Sequence, residues 1–381
     1  MLLISPGSHA YKIITILLIT GEFPFRSLGL LGNERMFKEA AVRMTKHQNV
    51  RIKGKDKSYR CKLITISGKS TRKTIRLCRS CFPLIEEEFP KMLPRYLEDN
   101  YDHHFHGLPR SIERNHRIAE TYVMCMRAGI ACRYHDVPVL QKEEKRYLTF
   151  DNPAFYSSKT IKRIGVDELN KSKYIRMVGA IFSGAGLYEI YNSRSEVLEW
   201  YGQGEDKTIQ IMSDVCNYNF RIPERHNAVI FGKDYPLAVQ TLRRFDSGDK
   251  LVRFDYLGYE SMHYLPMDES GIKLLQIMMI PDWKNKLLRL IFEEDAIPSV
   301  PQFQYDAYVN GTYILSFLDN DILKLSAFCQ TIRQEECEWE IACFDTQVEF
   351  LKEYLGDEVS LFSIPLNMVH KQLNAGREAL I

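Results

Sequence analysis

Two short runs in this sequence, Glu189-Ile190-Tyr191 and Glu205-Asp206-Lys207, carry residue types suited to metal-dependent phosphodiester hydrolysis. Carboxylates on adjoining strands can hold Mg²⁺, and a lysine two residues beyond can position or activate the attacking water. The chemistry needs an acid before one strand and an acid-x-lysine on the next. Each run lacks a part. Tyr191 stands where the first lysine would be, Val178-Gly179-Ala180 stands where the upstream acid would be, and the second run follows Gly202-Gln203-Gly204, as a loop or helix start does. A nuclease would rest on Glu189, Glu205, Lys207 and Mg²⁺; a related fold that has lost its chemistry suits the residues better.

Other candidate chemistry is thinner. Cys78-x-x-Cys81, with Cys61, His103, His104 and His106 near in sequence, lacks the second ligand pair of a zinc ribbon and reads as two thiols at the end of a strand. The glycines of SGAGLYEIY (183–191) precede a strand and no Lys-Ser/Thr follows them, so a hairpin turn fits better than a phosphate loop. Nine scattered cysteines without a secretory leader suggest reduced thiols and a cytoplasmic protein. The apolar run 13–19 is far short of the roughly 20 residues a bilayer span requires. No cofactor is expected apart from Mg²⁺ under the nuclease reading.

The stronger signal is charge. Between residues 43 and 79 stand thirteen Lys and Arg against Asp56 alone, which leaves 38 basic and 48 acidic residues for the rest of the 381. A +12 segment in a chain of net charge +2 is the pattern expected when one part meets a polyanion. The candidate DNA contacts are Arg35, Lys38, Arg43, Lys46, Arg51, Lys53, Lys55, Lys57, Arg60, Lys62, Lys69, Arg72 and Lys73.

The elements that must position these cations are legible. Ser8 caps a helix over 8–20, Pro24 opens a short segment over 25–31, and Asn33 caps a helix over 34–46. Met36, Phe37, Ala40, Ala41 and Met44 form its expected inward face. A basic hairpin follows, with strands near 49–53 and 59–66, then a second turn at 67–73 and a strand at 74–78. Helix, helix, helix, hairpin is the order of a winged helix-turn-helix, with the third helix in a major groove and Lys53, Lys55, Lys57 and Arg60 of the wing on phosphates.

Residues 83–110, punctuated by prolines, read as a helical connector. A long helix over 111–129 follows; its polar head, 113–117, is an amphipathic start or a contact to DNA or to the sheet domain. Beyond it strands and helices alternate, with hairpins at 178–192 and around Asn310-Gly311, which favours a type I′ turn. This predicts a mixed-sheet α/β domain over 111–381, with a division near 220 left open. No internal repeat is visible.

The elements of residues 8–78, the helix ERNHRIAETYVMCMRAG (113–129) and the strand LYEIYN (187–192) together resemble the replication-relaxation family of plasmids and integrative elements of Gram-positive bacteria. The resemblance covers about residues 8–215 and lies in order and pattern. It implies a winged helix-turn-helix followed by a restriction-endonuclease-like domain of the PD-(D/E)xK type, here degenerate because Gly179-Ala180 and Tyr191-Asn192 depart from the family's acidic pattern. The expectation is a double-stranded-DNA-binding protein of a mobile element, acting in replication, transfer or transcriptional control. The alternatives are the Mg²⁺-dependent nuclease and an adaptor whose acidic domain links DNA to a relaxase or replication protein. A homodimer stays open, since no heptad or dimer helix is visible.

Overall fold

The computed structural model describes residues 1–105, 107–133, 152–164, 176–200, 203–218, 226–253, 258–299, 305–332, 338–356 and 359–378. The chain divides into two compact units, Met1–Met126 with Cys132–Gln141, and Arg127–Ala131 with Lys142–Ile381. Both mix helices with sheets, and no described helix is long and apolar enough to cross a membrane.

The first unit opens with strand β1 (Leu2–Ile4) and helix α1 (His9–Thr20). Ser8 caps α1 by accepting from the Tyr11 N–H, and Ile13, Ile14, Ile16 and Leu17 are fully buried. Strand β2 (Glu22–Pro24), a 3-10 segment (Phe25–Leu31) and helix α2 (Glu34–Met44) follow. Asn33 caps α2 through the Met36 N–H. The buried stripe of α2 is Phe37, Ala41 and Met44. Met36, expected inward, is 46% exposed, because it lies about 100° round the helix from Phe37 and outside that i, i+4, i+7 row.

The basic region is arranged differently from the single wing expected. Strands β3 (Gln48–Ile52) and β4 (Ser58–Cys61) pair antiparallel. β3 also pairs parallel with β1, Leu2 facing Val50 and Ile4 facing Ile52. The expected strand 59–66 is broken at Lys62-Leu63, and Ile64–Ser67 becomes β5 of another sheet. Leu63, fully buried, causes the switch: its N–H donates to the Met44 carbonyl and its own carbonyl accepts from the Cys78 N–H. β5 pairs antiparallel with β6 (Thr74–Leu77), and β6 with β2, giving the order β2-β6-β5. Helices α3 (Phe82–Glu88), α4 (Met92–Asp99) and α5 (Pro109–Arg127) complete the region. The boundary expected at residue 111 therefore falls near Arg127, since most of α5 and the connector 83–110 belong to this unit.

The second unit holds two sheets. In the first, β7 (Ala154–Ser157), β8 (Gly179–Ser183) and β9 (Gly186–Arg194) are antiparallel neighbours, and β10 (His226–Gly232) and β11 (Ser261–Pro266) continue it in parallel. Helix α6 (Ser158–Ile164) follows β7, α7 (Gln203–Tyr218) joins β9 to β10, α8 (Tyr235–Asp246) joins β10 to β11, and α9 (Glu269–Met278) follows. After α10 (Trp283–Ile291), the second sheet runs β12 (Ala307–Val309), β13 (Thr312–Ser316), β14 (Trp339–Phe344) and β15 (Ser360–Ile364), with α11 (Ile322–Ile332), α12 (Val348–Leu355) and α13 (Leu366–Glu378) interposed and trailing. Asn310 and Gly311 take φ of 50° and 94° and turn the β12–β13 hairpin as expected.

A repeat that the residues do not display is present in the topology. β8-β9-α7-β10-α8-β11-α9 and β12-β13-α11-β14-α12-β15-α13 are both a hairpin followed by two helix–strand steps and a closing helix, with neighbouring strands in the same order and sense. The turn from β11 into α9 is close enough to demand glycine: a Cβ on Gly271 would lie 1.9 Å from the Pro266 carbonyl oxygen. Gly271→Ala is therefore expected to cost about 1–3 kcal/mol, since backbone has to move to admit it. Lowered hydrogen-exchange protection of the α9 amides measures this; unchanged protection would contradict the packing.

Candidate nucleic-acid interface

The candidate cations fall into three groups. On α2, Arg35 is engaged by Glu39 (Nε–Oε1 2.9 Å) and Lys38 by Glu34, both one turn away. Arg43 donates to the Met1 carbonyl at 3.4 Å, and Lys46 is exposed just beyond the helix.

The second group is the β3–β4 hairpin. Val50, Ile52 and Cys61 are buried, while Arg60 and Lys53 are exposed and Arg51 and Lys62 half-buried. Part of its charge is consumed internally. Lys55 lies 3.4 Å from Glu87 and 3.7 Å from Glu88 of α3, and Lys57 lies 4.0 Å from Glu87. The Tyr59 hydroxyl donates to the same Glu87 carboxylate, and this bond first, with Lys55 after it, holds the Glu87 carboxyl below its ordinary range. The hairpin is thus tied down at its tip, and two of the four cations expected to meet phosphates as the wing face carboxylates.

The third group, Lys69, Arg72 and Lys73, occupies the 67–73 loop between β5 and β6. All three are exposed and have no carboxylate partner among the described residues. Gly68 turns the loop at φ 85°, where an added Cβ would meet the Arg72 carbonyl oxygen at 2.4 Å. Tertiary folding brings this loop beside α2: Lys38 and Lys73 both stand 5.9 Å from the centroid of the Phe25 ring. Phe25 was not among the expected contacts. Its signal is subtle, an aromatic residue directly after Pro24 at the start of the short segment expected as the second of three helices.

A buried polar layer supports this surface. Arg76 on β6 donates twice to Glu22 on β2 (2.9 and 2.7 Å), and Asn115 of α5 donates to the other Glu22 oxygen at 2.7 Å. Thr74 lies 3.0 Å from His116 Nε2, and Ser27 donates to Glu120. The polar head of α5 therefore turns inward onto the β2-β6-β5 sheet and the 3-10 segment.

The nuclease candidates are not assembled for catalysis. Glu189 on β9 is fully buried; His226 Nδ1 donates to one oxygen at 2.7 Å and the Tyr259 hydroxyl to the other. Tyr191, in the lysine position, is hydrogen-bonded to Tyr259 at 2.7 Å, and burial raises its phenol well above the ordinary value. Glu205 on α7 is 1% exposed and 3.8 Å from Arg176. Lys207 is exposed, as expected for a residue about 200° further round the same helix. With both Glu189 oxygens engaged and the lysine turned away, these residues do not fit Mg²⁺. No group of three His, Cys, Asp or Glu among the described residues could hold a metal. Ser213 lies 3.0 Å from His226 Nε2 and completes a serine–histidine–glutamate line, but it sits inside α7, where backbone N–H groups serve the helix and none is spare for an oxyanion.

Cys81 is likewise structural. It is fully buried, its thiol donates to the Leu63 carbonyl at 3.3 Å, and burial pushes its pKa up to about 12. Comparisons with known protein families, with characterised proteins and with solved structures return no match.

Proposed function

We propose that the first unit is a winged helix-turn-helix that binds double-stranded DNA, with α2 in the major groove and the 67–73 loop as the wing. The observation that carries this reading is the sheet order β2-β6-β5 behind α1, the 3-10 segment and α2, in which the β5–β6 loop takes the wing's place. The shared approach of Lys38 and Lys73 to Phe25 supports a continuous surface of helix and loop. On this reading the β3–β4 hairpin is an insertion between α2 and the wing.

The second unit we read as a degenerate restriction-endonuclease-like fold. The antiparallel β7-β8-β9 followed by α7 and the parallel β10 supports it, with the acid of β9 absorbed into a buried network. Its role is then attachment rather than cleavage, and the whole chain acts in the replication, transfer or transcriptional control of a mobile element.

Fluorescence anisotropy with labelled duplex DNA tests the central claim. If about six phosphates are neutralised, affinity falls roughly a thousandfold between about 50 and 200 mM salt. An affinity independent of salt would overturn it.

A further inference from the structure

The outer face of α2 is poorly built as a phosphate clamp. Arg35 is paired with Glu39 and Lys38 with Glu34, so four of its charges compensate one another, and carboxylates on a phosphate-facing surface are repelled. Uncompensated cations that could supply attraction stand on the wing loop, at Lys69, Arg72 and Lys73, at Arg43 and Lys46 near the end of α2, and at Lys53 and Arg60 of the hairpin, none with a carboxylate partner among the described residues.

What the helix offers outward is different. With Phe37, Ala41 and Met44 buried, rotation of about 100° per residue puts Arg35, Glu39 and Val42 on the opposite side. Val42 is the apolar member of that row and is 49% exposed. Its β-branched side chain is stiff at χ1, so its methyl groups are presented in a defined direction. Among the groups that bases display in a major groove, the thymine C5-methyl is the apolar one. An apolar side chain in the last turn of a groove-facing helix gains by meeting that methyl.

We infer that α2 reads base edges, and that the DNA site contains a thymine whose C5-methyl packs against Val42. The inference rests on the winged-helix reading above and goes beyond it to sequence choice. It divides the labour: the wing supplies salt-dependent affinity and α2 supplies discrimination.

The test uses the full chain and a duplex selected from a random pool, in which each thymine is replaced singly by deoxyuridine, removing one methyl. At one position wild-type affinity should fall about fourfold, the worth of one buried methyl group. Val42→Ala should lose that sensitivity while keeping the wild-type salt dependence, because valine neutralises no phosphate. If the selected duplex binds but no deoxyuridine substitution weakens it, or if Val42→Ala keeps the sensitivity, the inference is overturned and the DNA-binding reading survives. Absence of any salt-dependent duplex binding overturns both.

Discussion

Removing the charge of the β5–β6 loop, with Lys69→Ala, Arg72→Ala and Lys73→Ala combined, is expected to lower duplex-DNA affinity by about ten- to a hundredfold near 150 mM salt. The slope of log affinity against log salt should become shallower by about 2 to 3, since each phosphate contact contributes about 0.9. These three side chains are exposed and have no carboxylate partner among the described residues, so their charge is available to a polyanion. Lys55 provides the contrast. It is held between Glu87 and Glu88, and Lys55→Ala should change affinity less than threefold. The two variants discriminate between assignments of the wing: if Lys55→Ala abolishes binding while the triple variant binds normally, the β3–β4 hairpin is the wing and the sheet order has been misread.

A larger effect on stability is expected at Glu22. This carboxylate is 1% exposed and receives Arg76 through two nitrogens and Asn115 through a third. Glu22→Ala would leave the Arg76 guanidinium without its anion beside the β2-β6 pair, at a cost of roughly 3–5 kcal/mol. Removing both partners, Glu22→Ala with Arg76→Ala, should cost less than Glu22→Ala alone, because no uncompensated charge remains. The chain has two compact units, so a single global melt would blend their transitions. Hydrogen exchange at the β6 amides is the better measurement: their protection should drop by two orders of magnitude or more in Glu22→Ala. Unchanged protection would mean that the buried pair does not hold this sheet.

The two predictions differ in how far they could be reached from residues alone. The cations of the proposed wing belong to the basic segment and the turn at 67–73 is legible, but the preceding hairpin carries more charge and reads from sequence as the wing. What the residues do not display is Leu63's burial and two backbone bonds, which move the chain between sheets, and the two glutamates some thirty residues away that face Lys55. The Glu22–Arg76 pair joins residues 54 apart and was not anticipated. In the second unit the Glu189 strand was located correctly, whereas its closure by His226 and Tyr259 depended on contacts 37 and 70 residues distant.

Local physics was enough for local features. Ser8 and Asn33 cap helices because a short side-chain oxygen reaches the N–H three residues on, and Asn310-Gly311 turns a hairpin because both residues tolerate positive φ. By itself the sequence determined these, the charge asymmetry and the α/β character. Tertiary structure decided which hairpin joins which sheet, which cations remain available, and that the second unit repeats its topology. The reason is physical. Strand partners and register depend on surfaces that meet only after folding, and a lysine's capacity to attract a phosphate depends on whether a carboxylate from a distant helix has already met it.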